Sequence, residues 1–326
     1  MKIRLLVILI SLASSLYSQS RPNILWLVCE DQSLFFSPYG DNHAETVNLN
    51  QLSEDGTVYD NCFTPSPVCS PSRSSIITGM YPTSIGTQHM RAYKKIKRQD
   101  INPHNQLPFY SPIPKKNIHF FTEALRVNGY YCSNNSKEDY NMLTSPMAWD
   151  ESSPKAHWRK RNPNQPFFSV FNFSVTHESK VWENETPYSE EELENVTLPA
   201  IFPQDDKIKI DFLTNYKNIE KLDQKLGEVI QQLKDEGLYE NTVIFFFSDH
   251  GGPFPRYKRS IYDTGIRCPL VIKWNNQLNE KRNNQLISFI DFAPTILDLL
   301  DIKTNYQMEG VSFYEKDHRE HIFAAT

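Results

Sequence analysis

No stretch beyond residue 20 is long and apolar enough to cross a bilayer, which argues against helical membrane insertion of the mature chain. No pair of cysteines stands at disulfide-framework spacing. Cys29, Cys62, Cys69, Cys132 and Cys268 are scattered and odd in number. Cys29, Cys132 and Cys268 lie in or beside apolar runs and read as small buried hydrophobes. No repeat or low-complexity linker divides the 326 residues. The formal charge of -5 excludes general affinity for nucleic acid or other polyanions, so an anionic substrate must meet a local cluster of Arg, Lys and His.

What is present begins with an export signal. Met1, Lys2 and Arg4 make a basic start, Leu5 to Leu16 is a short apolar run, and Ser18, Gln19 and Ser20 come next. Residues 1–20 are expected to be a cleaved signal peptide and 21–326 one catalytic domain, placing the protein in the periplasm or outside the cell. At 39% hydrophobic the chain can bury one large core.

Apolar, β-branched and aromatic runs alternate with helical patterns, which predicts an α/β fold with a mostly parallel central sheet flanked by helices. The strand candidates are Asn23 to Val28, Gly129 to Cys132, Phe167 to Phe173, Thr242 to Phe247 and Leu270 to Lys273. A long helix is expected from about Lys209 to Glu236, with Gly237 ending it, and a second after Pro294. The strands run into chemistry: Glu30-Asp31, Lys137, His177 and Asp249-His250 each come soon after one. The carboxyl ends of parallel strands share one edge, where ligands bind. Singly these residues read as solvent-facing charges; together they also fit a cation site.

The segment Thr64 to Gly79 reads as a loop entering a short helix, with Pro71 in the first turn and Gly79 after the last. Cys69 then sits at a helix N-terminus with Arg73 one turn on, as an activated thiolate or as an inert buried thiol. Cys69-Ser70-Pro71-Ser72-Arg73 resembles the Cys-x-Pro-x-Arg signature of type I sulfatases, in the alkaline phosphatase superfamily. The resemblance continues in order through Asn23 to Asp31, Ser248-Asp249-His250-Gly251, Lys258 with Tyr262 to Pro269, Asp291 to Thr295 and Glu309 to Ser312. Asn172 to Glu178 resembles the branch related to heparan N-sulfatase, which includes bacterial polysaccharide sulfatases.

The resemblance implies an alkaline phosphatase-like fold and hydrolysis of O- or N-linked sulfate on a poly- or oligosaccharide. It implies that a maturase oxidises Cys69 to formylglycine (3-oxoalanine). One hydroxyl of the hydrated aldehyde attacks sulfur, and the other releases the sulfate. The implied cofactor is Ca²⁺, with Glu30, Asp31, position 69, Asp249 and His250 as its ligand set. Arg73 and Lys137 are implied to serve position 69, and Lys258 and His177 the sulfate, with His177 the acid for the leaving group. The sequence departs from the usual pattern at Glu30, at His250, whose imidazole is a poor Ca²⁺ ligand and fits equally a place behind the ligands or another metal, and at Asp139, which stands where many relatives carry a catalytic histidine. Asp139 and His89 are therefore candidates for contacting substrate; His89 equally reads as an ordinary loop residue. The basic stretches Arg91 to Arg98 and His157 to Arg161 read first as solvated surface, with contact to neighbouring sulfates or uronates as the alternative. The sequence ends just after His321-Ile322-Phe323, so the smaller antiparallel C-terminal subdomain is expected to be largely missing. Rival readings are a phosphodiesterase or phosphonate hydrolase of the same superfamily, and a non-catalytic glycan-binding remnant.

Overall fold

Strand β1, Asn23–Cys29, is buried along its whole length. Ile24, Trp26 and Val28 point into one apolar cluster and Leu25, Leu27 and Cys29 into another, so this strand is covered on both faces. The computed structural model describes residues 21–91, 111–182, 186–274, 280–314 and 319–326. The expected signal peptide at 1–20 and residues 92–98 lie outside the described residues.

Seven more strands complete the sheet: β2 Thr57–Phe63, β3 Tyr131–Asn135, β4 Glu151–Ser152, β5 Phe167–Phe173, β6 Thr242–Ser248, β7 Arg267–Lys273 and β8 Arg282–Ser288. Their order is β4-β3-β5-β1-β6-β7-β2-β8. Only β7 runs against its neighbours, pairing antiparallel with β6 and β2; the other pairs are parallel. The fold is thus the expected α/β architecture. Helices α1 Val47–Glu54, α2 Cys69–Thr78, α3 Phe121–Val127, α4 Asp206–Asp235 and α5 Phe292–Leu299 cover it. Helix α4 turns one apolar stripe, including Phe212, Ile219, Leu226 and Leu233, onto the sheet. Among the described residues no helix is long and apolar enough to cross a membrane.

The differences from the sequence reading have local causes. Gly129 is not in a strand; at φ 85° it closes the turn after α3, where a left-handed conformation suits glycine. Helix α4 starts earlier than expected because Asp205 caps Lys207 N–H at 2.9 Å. Helix α5 begins before Pro294, which lies within its first turn and so costs no hydrogen bond. Strands β2 and β8 give no clear signal in the sequence: a register shift interrupts β2, and β8 is an edge strand carrying Arg282, Asn283, Asn284 and Gln285.

The segment after α5 reaches back to α2. Glu309 and Gly310 donate their N–H groups to the Gly79 carbonyl at 2.9 and 3.0 Å, and Glu309 accepts from Tyr81 N–H and Ser84 Oγ at 2.8 and 2.7 Å. Asp291 accepts Val311 N–H at 2.9 Å and Arg319 Nε at 2.9 Å. A Cβ on Gly310 would collide with the Ile290 carbonyl. Gly310→Ala is therefore expected to destabilise the protein by about 1–3 kcal/mol, seen as a melting midpoint lowered by several degrees.

Candidate active site

Adjacent parallel strands β1 and β6 end side by side, which puts Glu30 and Asp31 next to Asp249 and His250. All four are buried. Asp31 sits at φ 55°, an uncommon conformation for a residue with a side chain, held in place by its N–H bond to Asp249 Oδ1 at 3.1 Å. Its carboxylate is crowded: Oδ2 accepts Glu178 N–H at 2.7 Å and Lys258 Nζ at 2.8 Å, and Oδ1 lies 3.0 Å from His250 Nε2. Burial favours a neutral Asp31, but His250 and Lys258 outweigh it and hold the carboxyl well below the usual range. Asp249 is likewise lowered to about 2, against burial, by His250, Arg73 and Lys137.

Cys69 is the first residue of α2, and every residue of that helix is buried. A helix this polar can be buried because its hydroxyls bond internally. Ser74 Oγ donates to the Pro71 carbonyl at 2.7 Å, Thr78 Oγ1 to Ser74 O at 2.6 Å, and Thr64 Oγ1 to Ser72 Oγ at 2.9 Å. Cys69 Sγ lies 3.2 Å from His250 Nε2. His250 Nδ1 is 2.9 Å from the Gly251 carbonyl and donates to it, which turns Nε2 toward the cluster. Burial opposes a charged His250, yet Asp249, position 69 and Asp31 raise its pKa.

The basic residues converge here as well. Arg73 Nε donates to Asp249 Oδ2 at 3.0 Å and Nη1 to Asn172 Oδ1 at 2.6 Å. Lys137 Nζ pairs with Glu30 and lies 4.0 Å from Asp249 Oδ2. Lys258 bridges Asp31 and Glu178, 3.1 Å from the latter. His177 stands 4.0 Å from Asp31 through Nε2, while its Nδ1 accepts Ser179 N–H at 3.2 Å; that bond leaves the proton on Nε2, facing the cluster.

The donor set fits a cation. Donor atoms of Glu30, Asp31 and Cys69, and of Asp31, Cys69, Asp249 and His250, lie within 4.8 Å of one another in each group. Buried Asp31 Oδ1 accepts no well-formed hydrogen bond. Each group pairs two buried carboxylates, Glu30 with Asp31 and Asp31 with Asp249, and such pairs attract a divalent ion with oxygen preference.

The structure therefore brings together Glu30, Asp31, Cys69, Arg73, Lys137, His177, Asp249, His250 and Lys258. Asp139 is buried, its carboxylate held by Arg91. His89 is exposed, and its carbonyl accepts the Asn141 amide. Arg91 is partly exposed and forks onto Asp139, and in the 157–161 stretch the exposed Arg159 and Lys160 fit the solvated-surface expectation while one residue between the basic side chains does not. There Trp158 is fully buried and donates to Glu236 Oε2 at 2.8 Å, so the stretch clasps the end of α4. Sequence reasoning gave no role to Asn172, which orients Arg73, or to Glu178, which grips Lys258. Glu178 stands directly after His177, a signal that could have been used; Asn172 offered none.

A family model described as Sulfatase matches residues 22–302. An ulvan-active sulfatase of Formosa agariphila is 42% identical over 96% of this chain and 58% of its own length. The N-sulphoglucosamine sulphohydrolase of Homo sapiens is 24% identical over 87% of the chain and 62% of its length. The chain thus spans little more than half of these curated relatives. A solved 2-O GAG sulfatase shares the fold at TM-score 0.72 and 16% identity, covering 93% of this chain and 77% of that one.

Proposed function

This chain belongs to the sulfatase family, and from that premise we propose that it hydrolyses sulfate from a sulfated poly- or oligosaccharide outside the cytoplasm. The observation that carries the reading is Cys69 at the head of a buried helix, 3.2 Å from His250 and within the carboxylate cluster. The relatives' ulvan and N-sulphoglucosamine names support a sulfated carbohydrate as substrate.

Cys69, oxidised to formylglycine by a maturase and hydrated, supplies a geminal diol whose second hydroxyl lets the enzyme release sulfate without an external nucleophile. Glu30, Asp31, Asp249 and His250 would hold a Ca²⁺ ion beside position 69, and such an ion would supply positive charge to the reacting oxygens. Arg73, fixed by Asp249 and Asn172, and Lys137, fixed by Glu30, add charge from the helix side. Lys258 approaches from the opposite side and holds a sulfate oxygen, with Glu178 steadying it. His177 presents its Nε2 proton to the departing sugar oxygen or nitrogen.

His177→Ala is expected to slow a sulfated sugar by roughly 10²–10⁴-fold, and to slow far less an aryl sulfate whose leaving group needs no proton. Equal losses on both substrates would remove the acid role. Comparing release of inorganic sulfate from sulfated glycans with hydrolysis of phosphate and phosphonate esters tests the whole reading. Preferred turnover of the phosphorus esters would replace it with the rival hydrolase.

A further inference from the structure

Two arginines stand at the rim of the site in matched settings. Arg91 directs Nε and Nη2 to Asp139 at 3.2 and 2.8 Å, and Arg259 directs Nη1 and Nη2 to Glu178 at 2.9 and 2.7 Å. Both hold a left-handed backbone, φ 54° and 69°, which costs a residue with a side chain of order 1 kcal/mol. Arg259 is tied directly to the turn that carries position 69, and the segment before Arg91 is tied to the helix that follows it. Arg259 N–H donates to the Pro67 carbonyl at 2.8 Å. On the other side, Thr87 Oγ1 lies 2.6 Å from Ser74 Oγ of α2, and Asn141 binds the carbonyls of Thr87 and His89 just before Arg91.

The two pairs stand over opposite faces of the sheet. Tyr140 and Met142, next to Asp139, belong to the apolar cluster around Trp26; Val181 and Tyr257, close to Glu178 and Arg259 in sequence, belong to the cluster around Leu27. Cys69 and the carboxylates lie between them. Both arginine side chains remain accessible, at 35% and 62%. A guanidinium that gives two nitrogens to a carboxylate keeps a third outside the fork: Nη1 in Arg91 and Nε in Arg259. Exposed ion pairs contribute little stability by themselves, so stability alone does not account for strained backbone at both positions. Pre-oriented forks on both sides of a sulfate pocket do suit a ligand with several anionic groups.

We propose that Arg91 and Arg259 bracket an extended polyanionic glycan, each engaging a sulfate or carboxylate on a sugar flanking the one that loses sulfate. The inference rests on the sulfatase reading above and adds a substrate class to it: a sulfate embedded in a polyanion, rather than an isolated monosulfated sugar.

The test uses the matured, metal-loaded enzyme and two substrates, a trisaccharide with anionic groups on both flanking sugars and a monosulfated monosaccharide. For R91A and for R259A, the ratio of kcat/KM between trisaccharide and monosaccharide is expected to fall roughly tenfold, mainly through KM, the effect of losing one charge-assisted hydrogen bond. R91K and R259K should recover part of it, and raised salt should narrow the difference between wild type and variants. An unchanged or increased ratio would overturn the proposal. Binding of the same trisaccharide to metal-loaded C69A, with and without each arginine variant, separates this proposal from the catalytic reading. A roughly tenfold loss of affinity upholds the bracket even where no sulfate is released, and equal affinity overturns it.

Discussion

Cys69→Ala is expected to lower sulfate release by at least roughly a thousandfold while leaving the fold intact, because the residue proposed to attack sulfur is removed and nothing else replaces it. The helix that begins at Cys69 is held by its own hydroxyl bonds and by the Gly79 contacts with Glu309 and Gly310, none of which involves Sγ. Its melting midpoint should therefore stay within a few degrees of wild type. Cys69→Ser is expected to fail equally in turnover if serine is left unconverted, since a single hydroxyl could form a sulfate ester but lacks the second hydroxyl that expels it. Steady-state sulfate release, with circular dichroism for folding, checks both. Appreciable turnover by the alanine variant would mean that another group attacks sulfur.

Asp249→Asn should be as damaging, through a different route. Asp249 is fully buried, receives Arg73 Nε and the Asp31 N–H, and lies among the donor atoms that converge on one point. Removing its charge weakens the cation site and leaves the Arg73 guanidinium without its carboxylate partner; loss of one member of a buried pair costs about 3–5 kcal/mol. The expected outcome is a protein that retains less than one equivalent of divalent metal by elemental analysis, melts at lower temperature and turns over at least roughly a thousandfold more slowly. Chelation of the wild-type enzyme should lower activity and melting temperature together, and Ca²⁺ should restore both. Full metal content with full activity in D249N would exclude Asp249 as a ligand.

Much of this site was legible in the sequence because strand ends are legible. Glu30-Asp31 and Asp249-His250 each stand just after a run of strongly apolar residues, and parallel neighbouring strands deliver the residues at their carboxyl ends to one edge. The helix at Cys69 announced itself through Pro71 and Gly79, and Gly79 indeed takes the left-handed conformation, φ 68°. Pairings set by tertiary approach escaped. Arg91 and Asp139 are 48 residues apart, and Arg73 and Asn172 are 99 apart. No local period or spacing encodes such contacts. Strand β8 escaped for another reason: an edge strand with polar residues carries no alternation to read. His250 looked like a weak fit to an oxygen-loving ion, and only the Gly251 carbonyl bond to Nδ1 explains why its Nε2 turns inward.

The proposed catalysis depends on the chemical state of position 69, and one measurement addresses it directly: the mass of the proteolytic peptide containing Cys69, from protein co-expressed with a formylglycine-generating maturase. Conversion exchanges sulfur for oxygen and removes two hydrogens, and the aldehyde should react with a hydrazide probe. A peptide carrying that mass change and that reactivity, in protein that releases sulfate, is the predicted result. A peptide that holds only unmodified cysteine, in protein that nonetheless releases sulfate, would contradict it.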